Sequence, residues 1–387
     1  MKAEALYGFV VAFAAALLLT PLVARLARRI GAVDAMKERG LAADATPLLG
    51  GLAIFAAVLL AAALFLPFSD QMRGLLYAAA LITLVGAIDD ARDLSPGVKL
   101  AGQVAAALIC VLSGVRVDNV TVPLIGPVTF GEDAGGIIIV FGLVLIMNVV
   151  NFSDGVDGLA AGVCAISAAA FAVIAFDLQR DAAAVLAAIV SGAALGFLVH
   201  NFHPASVFMG DCGSNLLGLL LGGIIVEGSL KTNALIALVV PLVVLAVPFL
   251  DTGFVVAKRI KYRRPVYRGD SNHFHHRFHR MGFSQRRTVA YLYAWTLVMA
   301  GVAVALRFVP YSHTNGQLVL GWTLVMGALF VAGLAASVYL VYVLEILKLR
   351  RVRAWQLRRA DPETSEHEID QAVRHDLETG EFPAVRR

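Results

Sequence analysis

Charge is what this sequence has least of. Of its 387 residues, 16% are Asp, Glu, Lys or Arg, whereas a soluble domain carries about a quarter. With 59% hydrophobic residues and a mean hydropathy of +0.78, the chain has more apolar surface than a water-soluble core can absorb. A bilayer can absorb it. Cysteine is nearly missing as well. Cys110, Cys164 and Cys212 make no Cys-x-x-Cys pair and no even set, which excludes a disulfide scaffold and a thiolate zinc site. Also lacking are a separate soluble domain, a linker of biased composition and an internal repeat. The net charge of +4 is small, and its basic residues sit in a few segments between apolar runs. Such charge reads as topology and lipid-headgroup contact rather than nucleic-acid binding.

A helix needs about 20 apolar residues to cross the hydrocarbon core. That ruler predicts an all-α polytopic membrane protein with about eleven transmembrane helices, ten being the other count. They fall near 4–24, 48–66, 73–89, 98–115, 136–150, 158–176, 183–200, 213–227, 234–257, 288–308 and 318–347. The first run is preceded by a near-neutral flank and followed by Arg25, Arg28 and Arg29, the order of a retained span rather than a cleaved signal. The segments 25–46 and 258–287 hold most of the inter-helix Lys and Arg. Eleven spans put both on one side, which the positive-inside rule makes cytoplasmic, with the N-terminus outside and the C-terminus inside. Residues 1–349 read as one integral membrane domain. Residues 350–387 read as a charged cytoplasmic tail, helical and then disordered.

Carboxylates at membrane depth cost about 2.5–3.5 kcal/mol each on insertion scales, so the polar clusters need reasons. Asp89 and Asp90, with Asp93 and then Lys99, stand between two spans; a solvated helix end and a metal or phosphate site both fit. If the helix continued, Asp90 and Asp93 would share a face. Asn148 and Asn151-Phe152-Ser153-Asp154-Gly155-Val156-Asp157-Gly158 join two apolar runs, with more carboxylates and amides than a plain turn requires. Asn201-Phe202-His203-Pro204 leads to Asp211 at the start of a span, where it is either a simple N-cap or part of a phosphate site at a helix N-terminus. Four imidazoles, His273, His275, His276 and His279, fall within seven residues beside Arg277 and Arg280. Zinc is poorly served there without Cys or Glu nearby; anion binding and a solvated basic loop are the other readings. Carboxylates to hold Mg²⁺, beside basic groups to hold phosphates, make up the equipment of phosphoryl transfer.

With those residues in view, the chain resembles the polyprenyl-phosphate N-acetylhexosamine-1-phosphate transferases, the glycosyltransferase 4 superfamily that includes the phospho-N-acetylmuramoyl-pentapeptide transferases. The resemblance runs in order over about residues 47–290. It is carried by Pro47-x-x-Gly50-Gly51, Asp89-Asp90 with Lys99, Asn148-x-x-Asn151-Phe152-x-Asp154-Gly155-x-Asp157-Gly158, Asn201-x-x-Pro204-Ala205-x-x-Phe208-Met209-Gly210-Asp211-x-Gly213-Ser214, and His273-x-His275-His276-Arg277. It implies that Asp211 is the main ligand of Mg²⁺ (or Mn²⁺), with Asp89 and Asp90 near the metal and the acceptor phosphate. Lys99 and Asn201 would contact phosphates or the nucleotide. Asn148, Asn151, Asp154 and Asp157 would help hold the donor, and His273, His275, His276 and Arg277 its diphosphate or sugar.

The implied reaction transfers a sugar-1-phosphate, N-acetylglucosamine-1-phosphate first among the candidates, from a UDP-sugar to undecaprenyl phosphate. UMP is released at the cytoplasmic face of a bacterial inner membrane. The implied partners are the two substrates and membrane lipids, without nucleic acid; a homodimer is compatible with them. The His-x-His-His-Arg form is similar to the UDP-N-acetylglucosamine branch rather than the muramoyl-pentapeptide branch, which stands as the alternative. One departure is Leu48 after Pro47, where the hexosamine branch usually has Arg, with no basic residue from 40 to 49. A transporter with intramembrane carboxylates is the reading from another class.

Overall fold

The computed structural model describes residues 2–34, 45–115, 119–122, 126–129, 131–228, 284–309 and 319–342, short pieces within 244–253, and most of 353–379. The chain divides into two compact units, Met1–Phe249 with Leu292–Arg307 and Leu250–Tyr291 with Phe308–Arg387.

In the first unit the helices are α1 (Lys2–Ile30), α2 (Gly50–Phe65), α3 (Asp70–Arg92), α4 (Pro96–Leu112), α5 (Glu132–Ser153), α6 (Leu159–Asp177), α7 (Asp181–Asn201), α8 (Gly210–Gly228) and most of α9 (Gln285–Phe308). Among the described residues six helices are long and apolar enough to cross a membrane: α1, α3, α5, α6, α7 and α9. The chain is thus a largely helical, multi-pass type of protein. The ninth predicted span, 234–257, lies mostly outside the described residues.

Helix ends do not coincide with hydropathy ends. The first apolar run stops near residue 24, yet α1 continues through Arg25, Arg28 and Arg29 to Ile30, because basic residues are good helix formers and suit a C-terminal turn. The expectation of a purely α chain needs one correction. Two short antiparallel pairs are present, β1 (Val33–Asp34) with β2 (Thr46–Pro47) and β3 (Asn119–Val122) with β4 (Gly126–Thr129). The second is rich in β-branched residues, which favour an extended chain.

Several residues fix how the helices meet. Pro21 lies inside α1, and having no N–H it leaves the carbonyl of Leu17 without its intrahelical donor. His200 on α7 supplies the missing bond, its Nε2 donating to Leu17 O over 2.9 Å. A helix break is therefore repaired from a neighbouring helix, as apolar surroundings demand.

The most enclosed helix is α8, buried along nearly its whole length. Its first turn lies so close to α2 and α3 that a Cβ at Gly51 would fall on the backbone of Gly213, and one at Gly86 on the backbone of Cys212. Small residues at such crossings let backbones approach where lipid supplies no hydrophobic drive.

In the second unit α10 spans Leu320–Tyr342 and α11 spans Glu366–Thr379. A reciprocal cap starts α11. The Ser365 N–H donates to Glu368 Oε2 at 2.8 Å, and the Glu368 N–H donates to Ser365 Oγ at 3.3 Å, the Ser-x-x-Glu capping box. Ile369 and Val373, one turn apart, are buried.

Replacing His200 with Phe should lower stability by about 1–3 kcal/mol, the range for a buried acceptor left unpaired. Adding Pro21→Ala, which returns the intrahelical donor, should recover most of that loss. Thermal melts of the two single variants and the double variant in detergent give the coupling. Simple additivity would show that His200 does not complete α1.

Candidate active site

The chain up to α8 alternates direction, so one end of the bundle collects the C-terminal ends of α1, α3, α5 and α7 and the N-terminal ends of α2, α4, α6 and α8. The polar residues singled out from the sequence sit there. Helix α3 ends at Arg92, and Asp93 adopts φ 49° with its N–H bonded to Asp89 O. The helix does not run on, so Asp90 and Asp93 do not share a helical face. The sharp stop lets the Leu94 N–H donate to Asp89 Oδ1 at 2.7 Å. Pro96 opens α4, with its fixed φ suited to a first turn. From that turn Lys99 Nζ reaches Asp89 Oδ2 at 2.5 Å and Asp211 Oδ2 at 3.1 Å.

Asp90 does something the sequence did not suggest. Its carboxylate lies across the start of α8, with Oδ1 accepting from the Asp211 N–H at 2.7 Å and Oδ2 from the Cys212 N–H at 3.2 Å. Asp211 is therefore not the N-cap of its own helix; α3 supplies the capping carboxylate. The two N–H groups expected to face a phosphate are committed to Asp90. Gly210 makes the arrangement possible, since it adopts φ +72° and a Cβ there would strike the Asp90 carboxylate. Asn151 Nδ2 donates to Asp211 Oδ1 at 3.0 Å and to Ser214 Oγ at 2.8 Å, which fixes the rotation of the Asp211 carboxylate.

The segment after α5 and the loop after α7 form the opposite wall. Asp157 Oδ2 accepts from His203 Nδ1 at 2.7 Å and from the Ala205 N–H at 3.1 Å. Asn201 is 3% exposed; its Oδ1 accepts from the Gly158 N–H at 3.0 Å and its Nδ2 donates to Val207 O at 2.9 Å. Tyr293 on α9 adds a bond to Gly158 O at 2.5 Å. Both ends of the Asn201 amide thus hold the wall together. The Asp154 carboxylate has no hydrogen-bond partner among the described residues, while its backbone N–H closes α5 on Asn151 O at 3.1 Å. Burial, and then the carboxylates of Asp211, Asp90 and Asp157, push its carboxyl up to about 8.

These walls bound a cavity of about 290 Å³ lined by Asp34, Leu48, Asp90, Asn151, Asp154, Gly155, Val156, Asp157, Asn201, Phe208, Met209, Gly210 and Asp211. Leu48 is held there by backbone ties: Leu48 N to Ala32 O at 3.0 Å, Phe208 N to Pro47 O at 2.9 Å and Gly50 N to Phe208 O at 3.0 Å. Leu49 follows at φ 73°, a conformation costing a non-glycine residue roughly 1–2 kcal/mol. Its side chain is buried with Ala27, Ala32 and Cys212.

Asp89, Asp90 and Asp211 each present a carboxylate oxygen within 4.8 Å of the others. Oxygen donors at this spacing suit a hard divalent cation. Five lining residues are Asp, so a phosphate entering the cavity would be repelled unless a positive charge intervened.

Most of the expected residues therefore meet. Asp89, Asp90, Asp211, Lys99 and Asn151 form one bonded group, and Asp154, Asp157 and Asn201 face it across the cavity. Asn148 sits one turn inside the bundle, bonded to Gln103. His273, His275, His276 and Arg277 lie outside the described residues. Sequence reasoning missed Asp34, Gln103 and Asn215. The signal for the last two was an amide four residues after Lys99 and after Asp211 in apolar runs; Asp34 carried none.

Comparison with known proteins agrees with this geometry. The family described as Glycosyl transferase family 4 matches residues 72–229, which include both acidic helix ends. A decaprenyl-phosphate N-acetylglucosaminephosphotransferase of Mycobacterium leprae is 36% identical, covering 80% of this chain and 85% of that protein. The Bacillus subtilis protein named "Probable undecaprenyl-phosphate N-acetylglucosaminyl 1-phosphate transferase" is 34% identical over 78% of this chain and 84% of its own. A phospho-N-acetylmuramoyl-pentapeptide-transferase of Shouchella clausii is 30% identical over 77% of this chain and 96% of its own. Identity at this level across most of both chains, with the acid group assembled in space, makes this chain a member of glycosyl transferase family 4.

Proposed function

We propose that the chain transfers N-acetylglucosamine-1-phosphate from its UDP-sugar to undecaprenyl phosphate and releases UMP, starting a lipid-linked cell-envelope glycan such as a lipopolysaccharide or a teichoic acid. The convergence of Asp89, Asp90 and Asp211 beside Lys99 at one end of the bundle carries this reading. The relatives named for N-acetylglucosamine transfer, at 34% and 36% identity, support this donor over the muramoyl-pentapeptide, whose transferase is 30% identical. The exposed Arg25, Arg28 and Arg29 finish α1 at the same end as the acids, which favours the cytoplasmic face of a bacterial inner membrane for that end.

In the reaction, an oxygen of the polyprenyl phosphate bonds to the β-phosphorus of the donor. The bond from that phosphorus to the bridging oxygen breaks, and UMP departs with the electron pair. Mg²⁺ (or Mn²⁺) bound at Asp211, with Asp89 and Asp90 beside it, supplies charge neutralisation of the kind phosphoryl transfer needs. Asn151 keeps Asp211 turned to the cavity. Lys99 holds the two carboxylates together and offers positive charge to the acceptor phosphate. Asp154, whose carboxylate has no partner among the described residues, is assigned to the nucleotide, while Asp157 and Asn201 shape the wall. His273, His275, His276 and Arg277 are assigned to the diphosphate and sugar on their chemistry.

Purified protein given Mg²⁺, undecaprenyl phosphate and UDP-N-acetylglucosamine should release UMP. Asp211→Asn should reduce the rate by roughly 10²–10³-fold or more, in line with loss of a central electrostatic group, with an unchanged melting profile. Absence of UMP release from every UDP-sugar tried would overturn the reaction; undiminished release by Asp211→Asn would overturn the metal assignment alone.

Metal binding should also depend on pH with a definite sign. In the metal-free cavity Asp154 keeps its proton up to about pH 8, and a nearby cation favours the ionised form, so binding expels the proton. Mn²⁺ affinity, followed by EPR, should therefore strengthen from pH 6.5 to 8.5 by up to tenfold per unit, a dependence that Asp154→Asn weakens. A flat wild-type profile would contradict this.

A further inference from the structure

Beneath the acid group lies a second polar layer that the reaction as described does not use. Asn148 Nδ2 on α5 donates to Gln103 Oε1 on α4 at 2.8 Å, and Gln103 Nε2 donates to Asn215 Oδ1 on α8 at 2.7 Å. Asn215 Nδ2 closes the chain on the backbone carbonyl of Asp211 at 2.8 Å. The other N–H of Asn148 goes to Val144 O at 2.8 Å. Gln103 and Asn215 are 5% and 6% exposed. Flipping the Gln103 amide would set nitrogen against the Asn148 amide nitrogen and oxygen against the Asn215 oxygen, so the bonds run one way.

Each of three helices contributes one residue to each layer at helical spacing. Lys99 and Gln103 are four apart on α4, Asn151 and Asn148 three apart on α5, and Asp211 and Asn215 four apart on α8. The upper residues bond one another around Asp211, and the lower three bond one another beneath it. Residues three or four apart share a helix face, so fixing the lower set fixes the rotation at which the upper set arrives.

We infer that Gln103 is a positioning residue, the hub of an amide relay from Asn148 through Asn215 that sets α4, α5 and α8 in the rotation at which Lys99, Asn151 and Asp211 meet the metal and phosphates. The inference rests on the proposed transfer for its kinetic readout and not for its binding readout. Gln103 touches neither substrate nor metal in this scheme. It acts through Asp211, whose backbone carbonyl the relay grips and whose carboxylate Asn151 orients. A purely apolar contact among the three helices would allow small axial rotations; a directional chain does not, because unpaired buried amides are expensive.

The test is Gln103→Met, close in length but without either bond, compared with Gln103→Glu, which in its protonated form keeps a donor for Asn215 and an acceptor for Asn148. Mn²⁺ binding to the substrate-free protein should weaken by roughly 5–20-fold in Gln103→Met. Turnover per folded enzyme should fall roughly 10–100-fold at saturating donor, with the donor KM within about threefold of wild type, ranges set by the sensitivity of catalysis to small displacements. At pH 6 Gln103→Glu should retain at least about a third of wild-type turnover and metal affinity. Wild-type metal affinity and kcat in Gln103→Met would overturn the relay, as would loss in Gln103→Glu as deep as in Gln103→Met. If the wild type turns over no UDP-sugar, the proposed function fails, and the Mn²⁺ comparison still decides the relay.

Discussion

Three carboxylates held within 4.8 Å of one another at the end of an apolar bundle repel each other by about 3–4 kcal/mol per ionised pair at an effective dielectric near 20. The local structure is organised to offset that repulsion. Asp89 is met by the Leu94 N–H and by Lys99, Asp90 by two N–H groups of α8, and Asp211 by Lys99 and Asn151. The sharp end of α3, the proline-led start of α4 and the left-handed Gly210 are the backbone features that aim these donors. Remove them and the acids would either separate or take up protons.

The same constraint explains why α8 approaches its neighbours so closely. A carboxylate from α3 can cap α8 only if the helix start lies against α3, and Gly86 gives the room for it. Gly51 does the same for α2, where backbone bonds from Gly50 and Gly51 to Phe208 and Met209, at 3.0 and 2.9 Å, tie the Pro47–Gly51 turn to the start of α8. The glycine motif and the acidic motifs are thus parts of one device. The first lets the backbones touch, and the second occupies the charged corner that results.

Much of this was legible in the sequence, for reasons that can be stated. Apolar run length is set by the bilayer, so α3, α5, α6, α7 and α9 stand where hydropathy placed them. Alternation of direction follows from counting those runs, so the gathering of Asp89, Asp90, Asp154, Asp157, Asn201 and Asp211 at one end could be anticipated. Division of labour among the polar residues could not. Whether Asp90 faces a ligand or the start of α8 depends on the turn at Asp93 and on how near two helices pass, and no spacing rule encodes either. Asn201 and Asp157, which the sequence offers as ligand contacts, line the cavity and also brace a loop, because amides and carboxylates serve both purposes with the same atoms. Gln103 was passed over since one amide in an apolar helix carries no pattern until its partners on α5 and α8 are known. Leu48, which departs from the usual family residue, lines the cavity as an apolar patch among carboxylates.

The distribution of charge also separates enzyme from transporter. A carrier that moves ions across the bilayer needs polar groups along a path through its middle. Among the described residues the carboxylates collect at helix ends, and the amide relay beneath them is closed by its own hydrogen bonds rather than left open to a passing ion. Among the described residues five aspartates line the cavity and Lys99 bridges Asp89 and Asp211 at its edge, a balance that disfavours an anion on its own yet suits an anion that arrives with a divalent cation. Diphosphate donors and phosphate-headed lipids are anions of that kind. An apolar bundle that gathers its acids around one cavity, beside an arginine-rich helix end, and braces them from below suits the proposed transfer, in which a divalent cation and two phosphates meet at the membrane surface and neither passes through it.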